Sequence, residues 1–302
     1  MIESILLGVN GASPLGFMAS LGLLRLARGR DEMARLRFLA DGTSRAVIHT
    51  SAPLPLAKLV ADDASTSTGT QPWSLQYEKT EKKGVKTVAD LKAPPEAFAA
   101  FLRASVKAWL AGSEEATAYA AAFGTSVAKD GKGNTKPTAF HFTAANQQFL
   151  GTLELVRASV TDEWAHRSLF EGHAARSGQN LRWDPAAERN WALRANNPID
   201  EGTMVDAPLE WLAFRGLPLF PTIPVGARVL TSCVSGRGDE MRVAWPLWSP
   251  PASINTIRSL MQVAGNMRPR DCRARGIFAT YASAIRRTSQ GFGSFGPASV
   301  MG

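Results

Sequence analysis

The chain has 302 residues, 45% of them hydrophobic and 20% charged, which rules out a disordered, collagenous or fibrous protein. Its 34 Lys and Arg against 26 Asp and Glu leave a formal charge of +8, so anionic partners are expected. Only Cys233 and Cys272 are present, far apart, which leaves neither a disulfide framework nor the paired spacing of a structural zinc site.

Ile2, Ile5, Leu6, Leu7 and Val9 make a short apolar run read as a buried strand, ended by the turn dipeptide Asn10-Gly11. Pro14 then opens an amphipathic helix: Leu15, Met18, Leu21 and Leu24 recur at helical spacing, and Arg25 and Arg28 sit where cations suit the helix dipole. Arg35 to Leu39 and Arg45 to Thr50 read as a hairpin around Asp41-Gly42. From residue 62 to 92 apolar periodicity gives way to Ser, Thr, Gly and Lys, which predicts a long mobile loop. Pro94-Pro95 start a helix to about Leu110, with Phe98, Phe101, Leu102, Val106, Trp109 and Leu110 on its apolar side, and an Ala-rich helix follows to Phe123. A second basic glycine loop covers 124–137, Phe140 and Phe142 alternate with His141 as in a strand, and Asn146 to Val160 is helical.

Thr161-Asp162-Glu163 starts a helix that reaches Phe170. Asp206 and Pro208 open another, carrying Leu209, Trp211, Leu212 and Phe214 and stopping at Gly216. Arg228 to Val234 and Glu240 to Trp245 predict a hairpin across Ser235 to Asp239, Ser253 begins a helix through Met261, and Gly276 to Ile285 is the final strand. The pattern is α+β, mixed helices with antiparallel hairpins and basic loops inserted in the N-terminal half. It divides into an N-terminal α/β region, 1–160, and a C-terminal α+β region, 161–302, which also fit one continuous domain.

Phosphate-loop, His-Glu-x-x-His and Gly-x-Ser-x-Gly motifs are absent from the sequence. Ser126 and Lys129 match Ser-x-x-Lys without its companion motifs, and Glu163, His166, Glu171 and His173 read more simply as a solvated helical face than as metal ligands. Gly291, Gly293 and Gly296 spell Gly-x-Gly-x-x-Gly, but too few residues follow for the helix that a dinucleotide needs, so a flexible tail is expected. Met1 to Asn10 lacks a basic leader region and no stretch approaches about 18 uninterrupted apolar residues, so a cytoplasmic chain without membrane contact is expected.

The basic clusters point to phosphate. Arg268, Arg270, Arg273, Arg275, Arg286 and Arg287 face a single acid, Asp271, and the guanidinium fork matches phosphate oxygens. Lys79, Lys82, Lys83, Lys86, Lys129, Lys132 and Lys136 sit on the two glycine-bearing loops, where ammonium groups can follow a nucleic-acid backbone without reading its sequence. Trp183, Trp191 and Trp211, beside Arg182, Arg189, Arg194 and Arg215, are placed either to stack bases or to build core. Arg182 and Arg194 are retained as binding candidates.

Leu6-Leu7-Gly8-Val9-Asn10-Gly11-Ala12-Ser13-Pro14-Leu15-Gly16 running into Ser20-Leu21-Gly22-Leu23-Leu24-Arg25 resembles the opening of large-subunit-type proteins of type I-G (formerly I-U) CRISPR loci. The resemblance continues through Leu181-Arg182-Trp183-Asp184-Pro185, Trp191-Ala192-Leu193-Arg194, Asn197-Pro198, Leu212-Ala213, Leu217-Pro218-Leu219-Phe220-Pro221 and Trp245-Pro246-Leu247-Trp248. It is similar first to the small proteins described as an extension of the Cascade helicase-nuclease and second to the longer large subunit. The resemblance implies an antiviral-defence role in an RNA-guided surveillance complex, with guide RNA, target double-stranded DNA, the other Cascade subunits and the helicase-nuclease as partners. It carries no catalytic residue across, and a non-enzymatic subunit without cofactor or metal is expected, or alternatively an adaptor that recruits the helicase-nuclease.

Overall fold

The computed structural model describes residues 1–67, 71, 73–81, 84–143, 147–172, 174–185, 203–263, 267–288 and 292–301. β1 (Ile2–Asn10) runs into α1 (Pro14–Arg28), and β2 (Arg35–Phe38) and β3 (Arg45–Thr50) complete an antiparallel sheet of order β1-β3-β2. α2 (Leu56–Thr66) precedes a hairpin of β4 (Tyr77–Glu81) and β5 (Gly84–Val88); α3 (Pro95–Leu110) and α4 (Glu114–Phe123) then lead to a second hairpin, β6 (Gly124–Lys129) and β7 (Thr135–Pro137). α5 (Phe149–Ser159) and α6 (Asp162–His166) follow, α6 continuing as a π-helical turn over Arg167–Glu171, before the short pair β8 (Arg176–Ser177) and β9 (Met204–Val205). After α7 (Ala207–Gly216) come the hairpin β10 (Thr222–Val225) and β11 (Arg228–Thr231), then β12 (Val234–Ser235) and β13 (Arg242–Trp248). α8 (Ile254–Val263) and α9 (Pro269–Ala274) lead to β14 (Ile277–Arg287) and β15 (Gly293–Val300), which complete a four-stranded antiparallel sheet in the order β12-β13-β14-β15. The architecture is α+β.

Two helices form the centre. Every residue of α1 from Pro14 to Leu24 is buried, and so is all of α7, so α1 is a core helix where the spacing predicts an amphipathic one. They cross closely because glycines face the partner backbone: a Cβ on Gly22 would stand 1.8 Å from Leu212 O, and one on Gly216 would stand 2.3 Å from Met18 O. Around this crossing Phe17 stacks on Trp245 at 5.8 Å and Phe38 meets Trp248 edge-on at 5.1 Å. The tryptophan N–H groups are satisfied on entry to the core, Trp245 donating to Gly11 O (2.8 Å), Trp248 to Leu36 O (2.8 Å) and Trp183 to Phe140 O (2.9 Å). These contacts cross residue 160 freely, and the buried apolar cluster draws on both halves of the chain.

Several sequence expectations are corrected. β1 is an edge strand that buries Leu6 and Val9 but exposes Ile5 and Leu7, which alternate with Leu6 onto the opposite face of the strand. The 62–92 stretch holds the end of α2 and the β4–β5 hairpin, and 124–137 is a hairpin too. The first hairpin is largely solvent-facing and the second buries only Gly124, Ala128 and Thr135, so neither carries the apolar alternation that marks a half-buried strand. Phe140, His141 and Phe142 are buried but form no strand. Gly226, at φ 57°, turns β11 back onto β10, so only Val234 and Ser235 pair forward with β13. The expected glycine tail is β15: Gly293 lies against the Phe142 ring, where a Cβ would approach to 2.4 Å, and Phe295 is buried edge-on to Phe140 and Phe142. The last turn of α3 overhangs the core, leaving Val106, Trp109 and Leu110 exposed while Phe98 and Phe101 are buried.

Candidate nucleic-acid interface

The two lysine-bearing hairpins converge. Between them lies an open cleft of about 860 Å³, walled by Lys79 of β4, Lys86 of β5, Lys92 beyond it and Lys132 at the β6–β7 tip. Lys79 and Lys86 are cross-strand partners, which places two like charges side by side. Three carboxylates share the lining, Glu78, Asp90 and Asp130, and the last two accept from backbone amides. Asp130 Oδ1 accepts from the backbone N–H of Lys132 (2.8 Å) and Asn134 (3.0 Å) and so shapes the hairpin tip. Asp90 Oδ1 accepts from Lys92 N (2.8 Å) and Oδ2 from Phe149 N (2.8 Å). Among the described residues the ammonium groups of Lys86, Lys92 and Lys132 make no ion pair.

Beneath the lysines is a buried polar floor. His141 Nε2 and Asp90 Oδ1 are 2.9 Å apart, with the Thr143 hydroxyl 3.2 Å from the same nitrogen, and the imidazole stacks on Phe149 at 5.6 Å. Burial alone would raise the Asp90 pKa, but the His141 pair and the two backbone amides outweigh it and hold the carboxyl below its ordinary range. Tyr77 donates to Lys92 O at 3.0 Å, and burial, with Asp90 adding, pushes its phenol up to about 12. Arg287 props this floor: it donates to His141 O and Ala139 O, each at 3.1 Å, and lies over the Phe142 ring. Burial lowers the pKa of its guanidinium.

The predicted binding residues therefore divide. Lys132 joins the cleft, while Lys129 is exposed on the same hairpin without lining it. Lys136 donates Nζ to Ala227 O at 2.8 Å, tying β7 to the β10–β11 turn, so it is a structural lysine. Arg268 and Arg270 share Asp271, at 2.9 Å and 3.6 Å, on α9; Arg273 and Arg275 are exposed on the same short helix, Arg275 reaching Asp271 O at 3.4 Å. Arg286 passes over Gly296, and Arg287 is pinned to backbone, so the six arginines do not form one phosphate-facing row. Arg182 adopts φ 62° and packs its guanidinium over Phe292 at 4.5 Å. Trp183 and Trp211 are fully buried, which assigns them to the core and not to base stacking. Lys82, Lys83, Arg189, Trp191, Arg194 and His173 lie outside the described residues.

Sequence reasoning missed Lys92, Asp90, His141 and Gln147 as parts of one site. Asp90 and His141 are 51 positions apart, and no local spacing marks such a pair. Two other constellations resolve into structure. Glu163 pairs with Arg167 at 3.1 Å, and no group of three or more His, Cys, Asp and Glu side chains is arranged to hold a metal among the described residues. A smaller cavity of about 280 Å³ is walled by an ion network in which Arg215 meets Asp63 (3.2 Å), Glu115 (3.1 Å) and the Tyr119 hydroxyl (3.1 Å). Burial raises the Asp63 pKa despite Arg215 and the Trp211 N–H, and the same burial opposes charge on Arg215, which Tyr119, Asp63 and Glu115 nevertheless keep ionised.

Among the described residues no helix is long and apolar enough to cross a membrane. No family model matches the chain. No curated protein matches it either.

Proposed function

We propose that the chain is a non-catalytic, cytoplasmic nucleic-acid-binding subunit that holds a strand by its phosphates along the cleft between β4–β5 and β6–β7. The observation that carries this reading is the convergence of Lys79, Lys86, Lys92 and Lys132 on one cleft, four cations against Glu78, Asp90 and Asp130, of which Asp90 and Asp130 are held by backbone amides. The net charge of +8 and the exposed arginines of α9 support it, since both raise the local concentration of a polyanion. The assembly is proposed as an RNA-guided surveillance complex of the type I-G kind, with guide RNA and target DNA as ligands. The resemblance supports this assembly, and the blocks that carry it hold buried residues such as Trp183, Phe220, Trp245 and Trp248. It thus bears on a shared core, while the cleft stands on its own geometry.

Fluorescence anisotropy with a labelled single strand across a salt series tests the binding. Four phosphate contacts correspond to a log–log slope of about −3. Binding that is insensitive to salt refutes the reading. Co-purification with the neighbouring gene products and a CRISPR array tests the assembly, and discrete guide-length RNA in the washed complex is the expected result.

A protein-adaptor reading is favoured by a different observation, the exposed apolar turn of Val106, Trp109 and Leu110 on α3, two of them half exposed and Leu110 74% exposed. Retention of a helicase-nuclease after nuclease digestion, lost in Trp109→Ser, is the result that reading requires.

A further inference from the structure

The cleft has a feature that backbone tracking does not explain. Among the described residues, the buried side-chain polar atoms without a hydrogen-bond partner include His141 Nδ1 and Gln147 Oε1, and both residues line this cleft. Buried polar atoms are seldom left unpaired, so two at one cavity mark a place where a partner belongs. Their chemistry selects it. Gln147 Oε1 offers a lone pair, and His141 Nδ1 is a second polar atom of the same cleft left without a partner. Gln147 asks for a hydrogen-bond donor, while Lys86, Lys92 and Lys132 ask for an anion. Inorganic phosphate is compact, whereas a nucleotide joins a phosphate to sugar hydroxyls and base N–H groups that can reach the lysines and the wall at once.

We propose that the cleft is a single-nucleotide pocket. One phosphate sits on Lys86, Lys92 and Lys132, and the attached sugar or base donates to Gln147 on the wall that also holds His141 and Tyr77. The volume of about 860 Å³ falls within the range of roughly 300–1,000 Å³ that small-ligand sites occupy. Both orphan atoms are shielded from water, so binding turns the Gln147 amide, an ordinary side-chain adjustment. The nucleotide is either free or one residue of a strand turned into the cleft, and only the second form rests on the function proposed above.

Calorimetry on the full chain with AMP, UMP, inorganic phosphate and a single-stranded eight-nucleotide RNA separates these sources. The expected result is that at least one mononucleotide binds about tenfold or more tightly than phosphate, and that Lys86→Gln with Lys132→Gln weakens it by a further factor of about ten. Gln147→Leu should lower nucleotide affinity and leave phosphate affinity unchanged, a split that a folding defect does not produce. Mononucleotide affinity no greater than that of phosphate, or indifferent to the lysine pair, overturns the pocket. If the RNA still binds in that case, the strand-binding function survives; if mononucleotides bind and the RNA does not, the pocket stands for free nucleotides and strand binding falls.

Discussion

Replacing Glu210 by Gln should make the protein more stable at alkaline pH and leave it nearly unchanged under mild acid. Glu210 lies on α7, 1% exposed, with Oε2 accepting from Leu181 N at 2.6 Å and Oε1 unpaired. Burial drives its pKa from 4.5 to about 8, the backbone amides of Leu181 and Trp183 opposing and Asp184 and Asp206 adding to the rise. A carboxyl whose folded pKa is raised contributes fully below its unfolded value, and that contribution is lost as pH climbs towards the folded one. Between about pH 4.5 and 8 the folded state holds a proton that the unfolded state has released, so this group erodes stability by up to about 1.4 kcal/mol per pH unit. Integrated over the window, the loss is on the order of 4 kcal/mol. Gln keeps an acceptor for Leu181 N and cannot ionise. Urea unfolding of both proteins at several pH values reads the difference: near zero at about pH 5, growing to several kcal/mol in favour of Glu210→Gln at about pH 8.5. Parallel stability curves across that window would refute a buried, protonated Glu210.

Gly22→Ala should cost several kcal/mol and be seen as a large fall in thermal midpoint or loss of soluble protein, because its Cβ would stand 1.8 Å from Leu212 O in the centre of the core. Arg287→Ala and Arg270→Gln should separate stability from binding. The first loses two hydrogen bonds to the His141 loop and about 1–3 kcal/mol of stability, measured by denaturant unfolding, whereas the second, on an exposed α9 side chain, changes only the salt slope of strand binding. Arg215→Met strands Asp63 and Glu115 beside one cavity, and a loss of about 3–5 kcal/mol in the same assay is expected; an effect below 1 kcal/mol would show that Arg25 and the Trp211 N–H hold those carboxylates unaided.

The elements most legible in the sequence were those whose signals are local. Thr161 accepts from Trp164 N at 3.2 Å and Asp206 from Leu209 N at 3.3 Å, the two N-caps read from residue type and position. Pro14 and Pro95 stand in the first turns of α1 and α3 as expected. The hairpins at 77–88 and 124–137 were missed because the first is mostly exposed and the second buries only small or polar residues, so neither shows apolar alternation. β15 was missed because its glycine-rich start reads as slack, whereas Gly293 is needed for a close approach to Phe142. Among the site residues, Lys132 was marked by charge, while Lys136 and Arg287 carried the same charge into structural bonds with Ala227, His141 and Ala139. Side-chain charge is visible in sequence; what it faces is not.

The sequence by itself determined the α+β class, most helix starts, the excess of positive charge and the residues able to meet phosphate, since each depends on residue type and short-range spacing. Only the tertiary structure decided that Gly22 and Gly216 admit two helix backbones to near contact, that Trp183 and Trp211 belong to the core, and that two hairpins bring their lysines over the pair of Asp90 and His141. The reason is physical: those outcomes rest on contacts between residues tens to hundreds of positions apart, fixed by how the buried surfaces fit and not by local propensity.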